Sequence, residues 1–287
     1  MKYTAKALKG NVNVSRTSPI KEFFILLSGV LGIVILVYVA LGFAVDFVVS
    51  RLPLEIEQNL GSLYSGIYVN TEKTGAGIRL QKILDELVEK NPLINSRQQE
   101  EPEYKVHLVP HSQANAIALP GGNIVVFSAL IKEVDSENAL AFVLAHELGH
   151  FANKDHLRGL GRRLVLLSIS TALLGADSSV SNLIMNSLVN VEMKFSRRQE
   201  TMADIWALDL LNRRYGHVSG ASEFFENMSK KEKRGRILYY FAIHPYPEDR
   251  INALEDRIQK KGYLEKEKIP LDKVFEDLPV KPAGSGK

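Results

Sequence analysis

Hydrophobic and polar positions change period several times along this chain. From Phe23 to Val45, FFILLSGVLGIVILVYVALGFAV, no charge interrupts a run of 23 residues, enough for a helix to cross a hydrocarbon core of about 30 Å. Further on, Ile78, Leu80, Ile83, Leu84, Leu87 and Val88 recur at helical spacing, predicting an amphipathic helix over 75–90 that ends at Asn91-Pro92. Tyr104 to Val109, Ala116 to Leu119 and Ile124 to Phe127 read as short strands, with Pro120-Gly121-Gly122-Asn123 as a turn, and together predict a small antiparallel sheet. Ser136 with Glu137 in the first turn caps a helix that runs through an apolar stretch to about Asn153. Leu164 to Ala176 is apolar but too short to span. With the helical pattern at Leu183, Ile184, Leu188 and Val191 it predicts a hairpin, packed on the body of the domain or, alternatively, dipping into a membrane. Helices are also expected at Ala221–Met228 and Pro247–Gln259, and disorder in the tail, 279–287.

Composition narrows the classes. Of 287 residues 45% are hydrophobic and 24% charged, which excludes a disordered or fibrous chain. Thirty-six basic against 33 acidic residues leave a net charge of +3, too small for a nucleic-acid footprint, so no nucleic acid is expected as partner. With no cysteine there is no disulfide, no thiolate metal site and no cysteine nucleophile. Any metal must be held by nitrogen and oxygen.

Charge also orients the apolar run. Lys2, Lys6, Lys9, Arg16 and Lys21 precede it, whereas after it Arg51 stands among Asp46, Glu55 and Glu57. The positive-inside rule therefore puts residues 1–22 in the cytoplasm, makes 23–45 a single span of the inner, cytoplasmic membrane, and sends 46–278 to the periplasmic or extracytoplasmic side. A cleaved signal peptide is the alternative, disfavoured by the long leader and the length of the run.

Chemistry concentrates at His146-Glu147-Leu148-Gly149-His150, an H-E-x-x-H inside the helix that Ser136 caps. Positions i and i+4 share one helix face, so both imidazoles can converge on one zinc ion, and Glu147 is placed to accept a proton from water there. A catalytic zinc needs a third protein ligand. His156 has the spacing of a metzincin, although Asn153 stands where that motif needs Gly. Glu200 is the rival, and Asp204, one helical turn on, could hold a ligand histidine from behind.

Four blocks in order resemble the HtpX-like and CAAX-prenyl-protease-like zinc metallopeptidases, which include mitochondrial Oma-type enzymes. They are Asn115-Ala-Ile-Ala-Leu-Pro-Gly-Gly122 with Ile124-Val-Val126, His146 to His150, Ser196-Arg197 with Glu200-x-x-Ala203-Asp204, and His244-Pro245 with Arg250-Ile251. The resemblance implies a gluzincin-like, mostly helical α+β domain that hydrolyses peptide bonds, with one zinc per chain held by His146, His150 and Glu200. It puts Asp204, Arg197 and Arg250 behind the ligands and leaves His156 a packing role. It also implies protein or peptide substrates, unfolded or misassembled envelope proteins by analogy, while the membrane contact through one helix is read from the run at 23–45. His244 could stabilise the oxyanion or fill the water position and silence the site. An extended substrate could add to a sheet edge at Asn115 and Ala116 or at Ile124 and Val125. A client-binding, chaperone-like protein with a structural zinc is the rival class, against which the intact Glu147 speaks.

Overall fold

The computed structural model describes residues 18–67, 74–90, 103–189, 194–221, 223, 244 and 248–281. Of the helix expected at Ala221–Met228 only Ala221 and Glu223 fall within these residues. The chain divides into two compact units, 1–44 and 45–287.

The first unit carries most of α1 (Pro19–Ser50), one continuous helix with most of its leucines, valines and phenylalanines exposed. Among the described residues it is the one helix long and apolar enough to cross a membrane.

The second unit is built around the helix that carries the H-E-x-x-H. After α2 (Leu54–Ser62), α3 (Gly75–Glu89) begins where the Thr74 side chain accepts the Gly77 amide. It buries Leu80, Ile83, Leu84 and Leu87; Ile78, counted in the apolar stripe, lies outside at 63% exposure. Three strands follow, β1 (Lys105–Val109), β2 (Ala116–Leu119) and β3 (Asn123–Phe127), in the spatial order β1-β3-β2. The sheet is mixed rather than antiparallel as expected: β1 pairs parallel with β3, and only β2 pairs antiparallel with it. Tight reversal is confined to Pro120–Gly122, where Gly121 (φ 78°) and Gly122 (φ 80°) take the left-handed conformation a hairpin turn needs. Between β1 and β2, the His111 amide donates to the Ser128 hydroxyl, which donates on to the Pro279 carbonyl, so that segment leads across the sheet and makes no hairpin. The same bond holds Pro279, the residue expected to begin the free tail.

A short α4 (Ser128–Ile131) leads to α5 (Glu137–Ala152), capped by Ser136 Oγ on the Ala139 amide at 3.1 Å. Every residue of α5 from Glu137 to Phe151 is buried, because α3, the sheet and α8 (Arg197–Tyr215) enclose it. Burying Glu137 is tolerated because Arg79, Arg214 and the Tyr215 hydroxyl (3.0 Å) all donate to it. Burial, with the Glu137 charge, in turn pushes the Tyr215 hydroxyl pKa up. Gly149 has a packing reason: a Cβ there would sit 2.8 Å from the Ala203 Cα, so α5 and α8 touch backbone to backbone. Between them run α6 (Asp155–Leu174) and α7 (Ser179–Val189), the expected hairpin, whose outer half is exposed rather than packed on the body. The last helix, α9 (Glu248–Lys261), lies against α8.

Candidate metal centre

His146, Glu147 and His150 come from α5, Glu200 and Asp204 from the first turns of α8, Arg250 from α9, and His244 from the segment before it. The α8 turns are fixed by a capping box, in which Ser196 accepts the Gln199 amide and the Gln199 side chain bonds back. Side-chain atoms of His146, His150, Glu200 and His244 lie within 4.8 Å of one another, all buried.

Each imidazole of the α5 pair is held from behind. His146 Nδ1 lies 2.9 Å from Asp204 Oδ1, and His150 Nδ1 lies 3.0 Å from Asp155 Oδ2. Asp155 is oriented by Gln199 Nε2 at 2.7 Å, and Phe195 stacks on the His150 ring at 3.9 Å between centroids. With Nδ1–H donated to a carboxylate, each ring turns its Nε2 lone pair inward. The two Nε2 atoms are 3.2 Å apart, and 3.5 and 3.7 Å from Glu200 oxygens. Two imidazole lone pairs and a carboxylate converging on one buried point are the nitrogen and oxygen donor set that a metal ion such as zinc takes, so these residues fit a metal ion.

Arg250 is 1% exposed and binds both acids of α8: Nη1 to Glu200 Oε2 at 2.9 Å, Nε and Nη2 to Asp204 at 2.7 Å. Burial works against both carboxylates, but the His244 charge and hydrogen bond at Glu200, and Arg250 and His146 at Asp204, outweigh it and hold both pKa values down. Burial raises Glu147, and the charges of His244 and His150 only partly offset this. Burial likewise lowers His150, against the opposing hydrogen bond of Asp155. At His244 burial is overcome by the Glu200 charge and hydrogen bond (Nδ1 to Oε1, 3.1 Å), so its pKa rises; its Nε2 lies 3.9 Å from Glu147 Oε1.

His156 points elsewhere. Its Nε2 meets Glu57 of α2 at 3.1 Å, outside the cluster. Burial pushes Glu57 up, yet its bond and charge interaction with His156, the Gly121 amide and Lys154 hold it below the usual range. Arg197 is exposed at the start of α8, whereas Arg250 faces both acids. Of the two candidate substrate strands, β3 is central and pairs on both sides, so Ile124 and Val125 cannot receive an added strand; β2, with Asn115 and Ala116 at its start, lies at the edge. Asp155, Gln199 and Phe195 carry no motif signal, since Asp155 meets His150 only through the left-handed turn at Lys154 (φ 52°).

A buried H-E-x-x-H helix facing a Glu-x-x-Ala-Asp helix defines the class of gluzincin-like metallopeptidases. Comparison gives the family. The profile of Peptidase family M48 matches residues 78–258, and the chain belongs to that family and is a metalloendopeptidase. It is similar to metalloprotease LoiP of Escherichia coli (31% identical over 177 residues, 60% of this chain and 69% of LoiP). It also resembles mitochondrial metalloendopeptidase OMA1 of Schizosaccharomyces pombe (28% over 157 residues, 53% of this chain and 46% of that one). A third relative is the beta-barrel assembly-enhancing protease of Yersinia pestis (24% over 223 residues, 72% of this chain and 45% of that one). The chain thus spans about two thirds of LoiP and less than half of the other two.

Proposed function

We propose that the chain is a zinc endopeptidase anchored by α1, with His146, His150 and Glu200 as ligands of one zinc ion and its catalytic unit on the extracytoplasmic side. The observation that carries this reading is the inward convergence of two carboxylate-backed imidazoles and Glu200 in a buried site. When bound, the metal supplies Lewis-acid polarisation of the scissile carbonyl and eases deprotonation of water.

The chain's own residues do the rest. Glu147, its pKa raised by burial, takes the proton of the attacking water and hands it to the leaving amine nitrogen. Asp204 and Asp155 keep the imidazoles in one tautomer, and Arg250 balances the buried acids. The edge strand β2 receives an extended peptide through its main chain, which asks little of sequence and suits unfolded or misassembled envelope proteins. The name of the Yersinia relative is in keeping with that class. His244 stands between two acids of the site, with Nδ1 on Glu200 and Nε2 toward Glu147, so we assign it the gating role, with displacement on substrate binding.

The test uses host cells stripped to their inner membrane. Externally added casein is expected to be cleaved, an impermeant chelator outside should stop cleavage, and zinc should restore it. Cleavage that begins only after lysis would reverse the orientation; none after lysis would leave the chaperone-like reading.

A further inference from the structure

We infer that the α6–α7 hairpin is a second membrane contact, its exposed apolar face lying at the headgroup–acyl boundary of one leaflet beside the point where the chain leaves α1. The inference rests on the proposed anchoring by α1.

Between Leu164 and Val189 the only charge is Asp177, at the turn. Leu173 is 60% exposed and Leu183 70%, and Leu164, Leu174, Val180 and Met185 are exposed as well. A solvated hairpin would carry charge at such positions, as α9 does with Glu255, Asp256, Lys260 and Lys261 on its outer face. Several of its hydroxyls are bonded within the hairpin itself. Ser168 donates to the Leu164 carbonyl at 2.9 Å, Ser187 to Ile184 at 2.8 Å, and Ser170 to Leu167 at 3.1 Å. Ser170 also meets Ser181 at 2.9 Å across the hairpin, and Ser181 donates to the Gly175 carbonyl. Small residues bonded across and back onto their own helices are how helices pack in lipid.

Position on the unit agrees. Lys154 Nζ reaches the Val49 carbonyl, Asp46 pairs with Arg158 and Arg162, and Gly161 lies against Val45, where a Cβ would come within 2.7 Å of Val45 Cγ1. Going forward along α6 therefore means going backward along the last residues of α1, from Val49 to Val45. The last arginine, Arg163, bonds the Ser187 carbonyl at the hairpin's base, and the eleven residues from Leu164 to Leu174 then rise about 16 Å. That is about half of a 30 Å core, so the hairpin is too short to cross, and with Asp177 exposed at its turn the apolar face lies along the headgroup–acyl boundary of one leaflet, its arginines at headgroup depth.

The absence of cysteine makes the test direct. Full-length chains with Leu173→Cys, Leu183→Cys, Leu36→Cys or Lys261→Cys, each labelled with an environment-sensitive nitrobenzoxadiazole probe, are reconstituted into phosphatidylcholine–phosphatidylglycerol vesicles. We expect blue-shifted emission at 173 and 183, quenched by acyl-chain spin-labelled lipid as at 36 and severalfold more than at 261, at every protein-to-lipid ratio. Probes at 173 and 183 that behave like 261 while 36 is quenched would overturn the inference and leave the anchor standing. No quenching at 36 either would sink the anchoring reading with it. A blue shift that appears only at high protein density, without lipid quenching, would assign the face to a second copy of the chain and overturn the inference too.

Discussion

Glu147→Gln lowers casein cleavage by about 10²–10⁴-fold while zinc stays near one per chain, because the amide keeps the shape of the carboxylate and cannot take a proton. The structure sharpens this expectation. Glu147 is fully buried beside the His146–His150–Glu200 cluster, and its pKa is raised by burial, the direction that makes a carboxylate a stronger base. Metal analysis and a gel assay on the same preparation decide it. A mutant that cleaves at the wild-type rate removes Glu147 from the chemistry, and a wild type inert on every unfolded substrate favours client binding over hydrolysis.

The second large effect separates the two candidate third ligands. Glu200→Ala removes the one carboxylate in the cluster that lies within 4 Å of both imidazole Nε2 atoms, so zinc affinity falls steeply. Asp204→Asn keeps the ligands and loses the carboxylate behind His146, for about 10–100-fold in affinity or activity. His156→Ala leaves zinc in place. It instead removes one of the groups that hold the buried Glu57 carboxylate, leaving the Gly121 amide and Lys154, which destabilises the fold by about 2 kcal/mol. Competition with a chromophoric chelator ranks the variants for zinc, and thermal unfolding isolates His156→Ala. Zinc loss in His156→Ala together with retention in Glu200→Ala would reverse the assignment.

Part of this candidate site was legible in the sequence because four of its members come from two helices whose spacing is written locally. His146 and His150 lie four apart on one helix and Glu200 and Asp204 four apart on another, so each pair shares a face before any tertiary information enters. Caps were equally readable at Ser136, where one side chain satisfies a nearby amide. What the sequence did not disclose depends on distant chain segments. The parallel pairing of β1 with β3 follows from where 110–115 is tied down, at Ser128 and Pro279. The support of His150 by Asp155 and Gln199 crosses from α6 to α8. His156 kept the metzincin spacing in sequence, yet α6 turns it toward Glu57, a partner 99 residues away that no spacing rule could supply. The hairpin after it read first as packed; its exposed leucines became evident only once neighbours were in place.

The proposed chemistry stands or falls with one metal ion held by His146, His150 and Glu200. Anomalous diffraction from crystals of the zinc-loaded protein, recorded on both sides of the zinc edge, tests it most directly. One strong peak per chain is expected, about 2.0–2.2 Å from His146 Nε2, His150 Nε2 and a Glu200 oxygen. A peak ligated by His156, or one lacking Glu200, would contradict it.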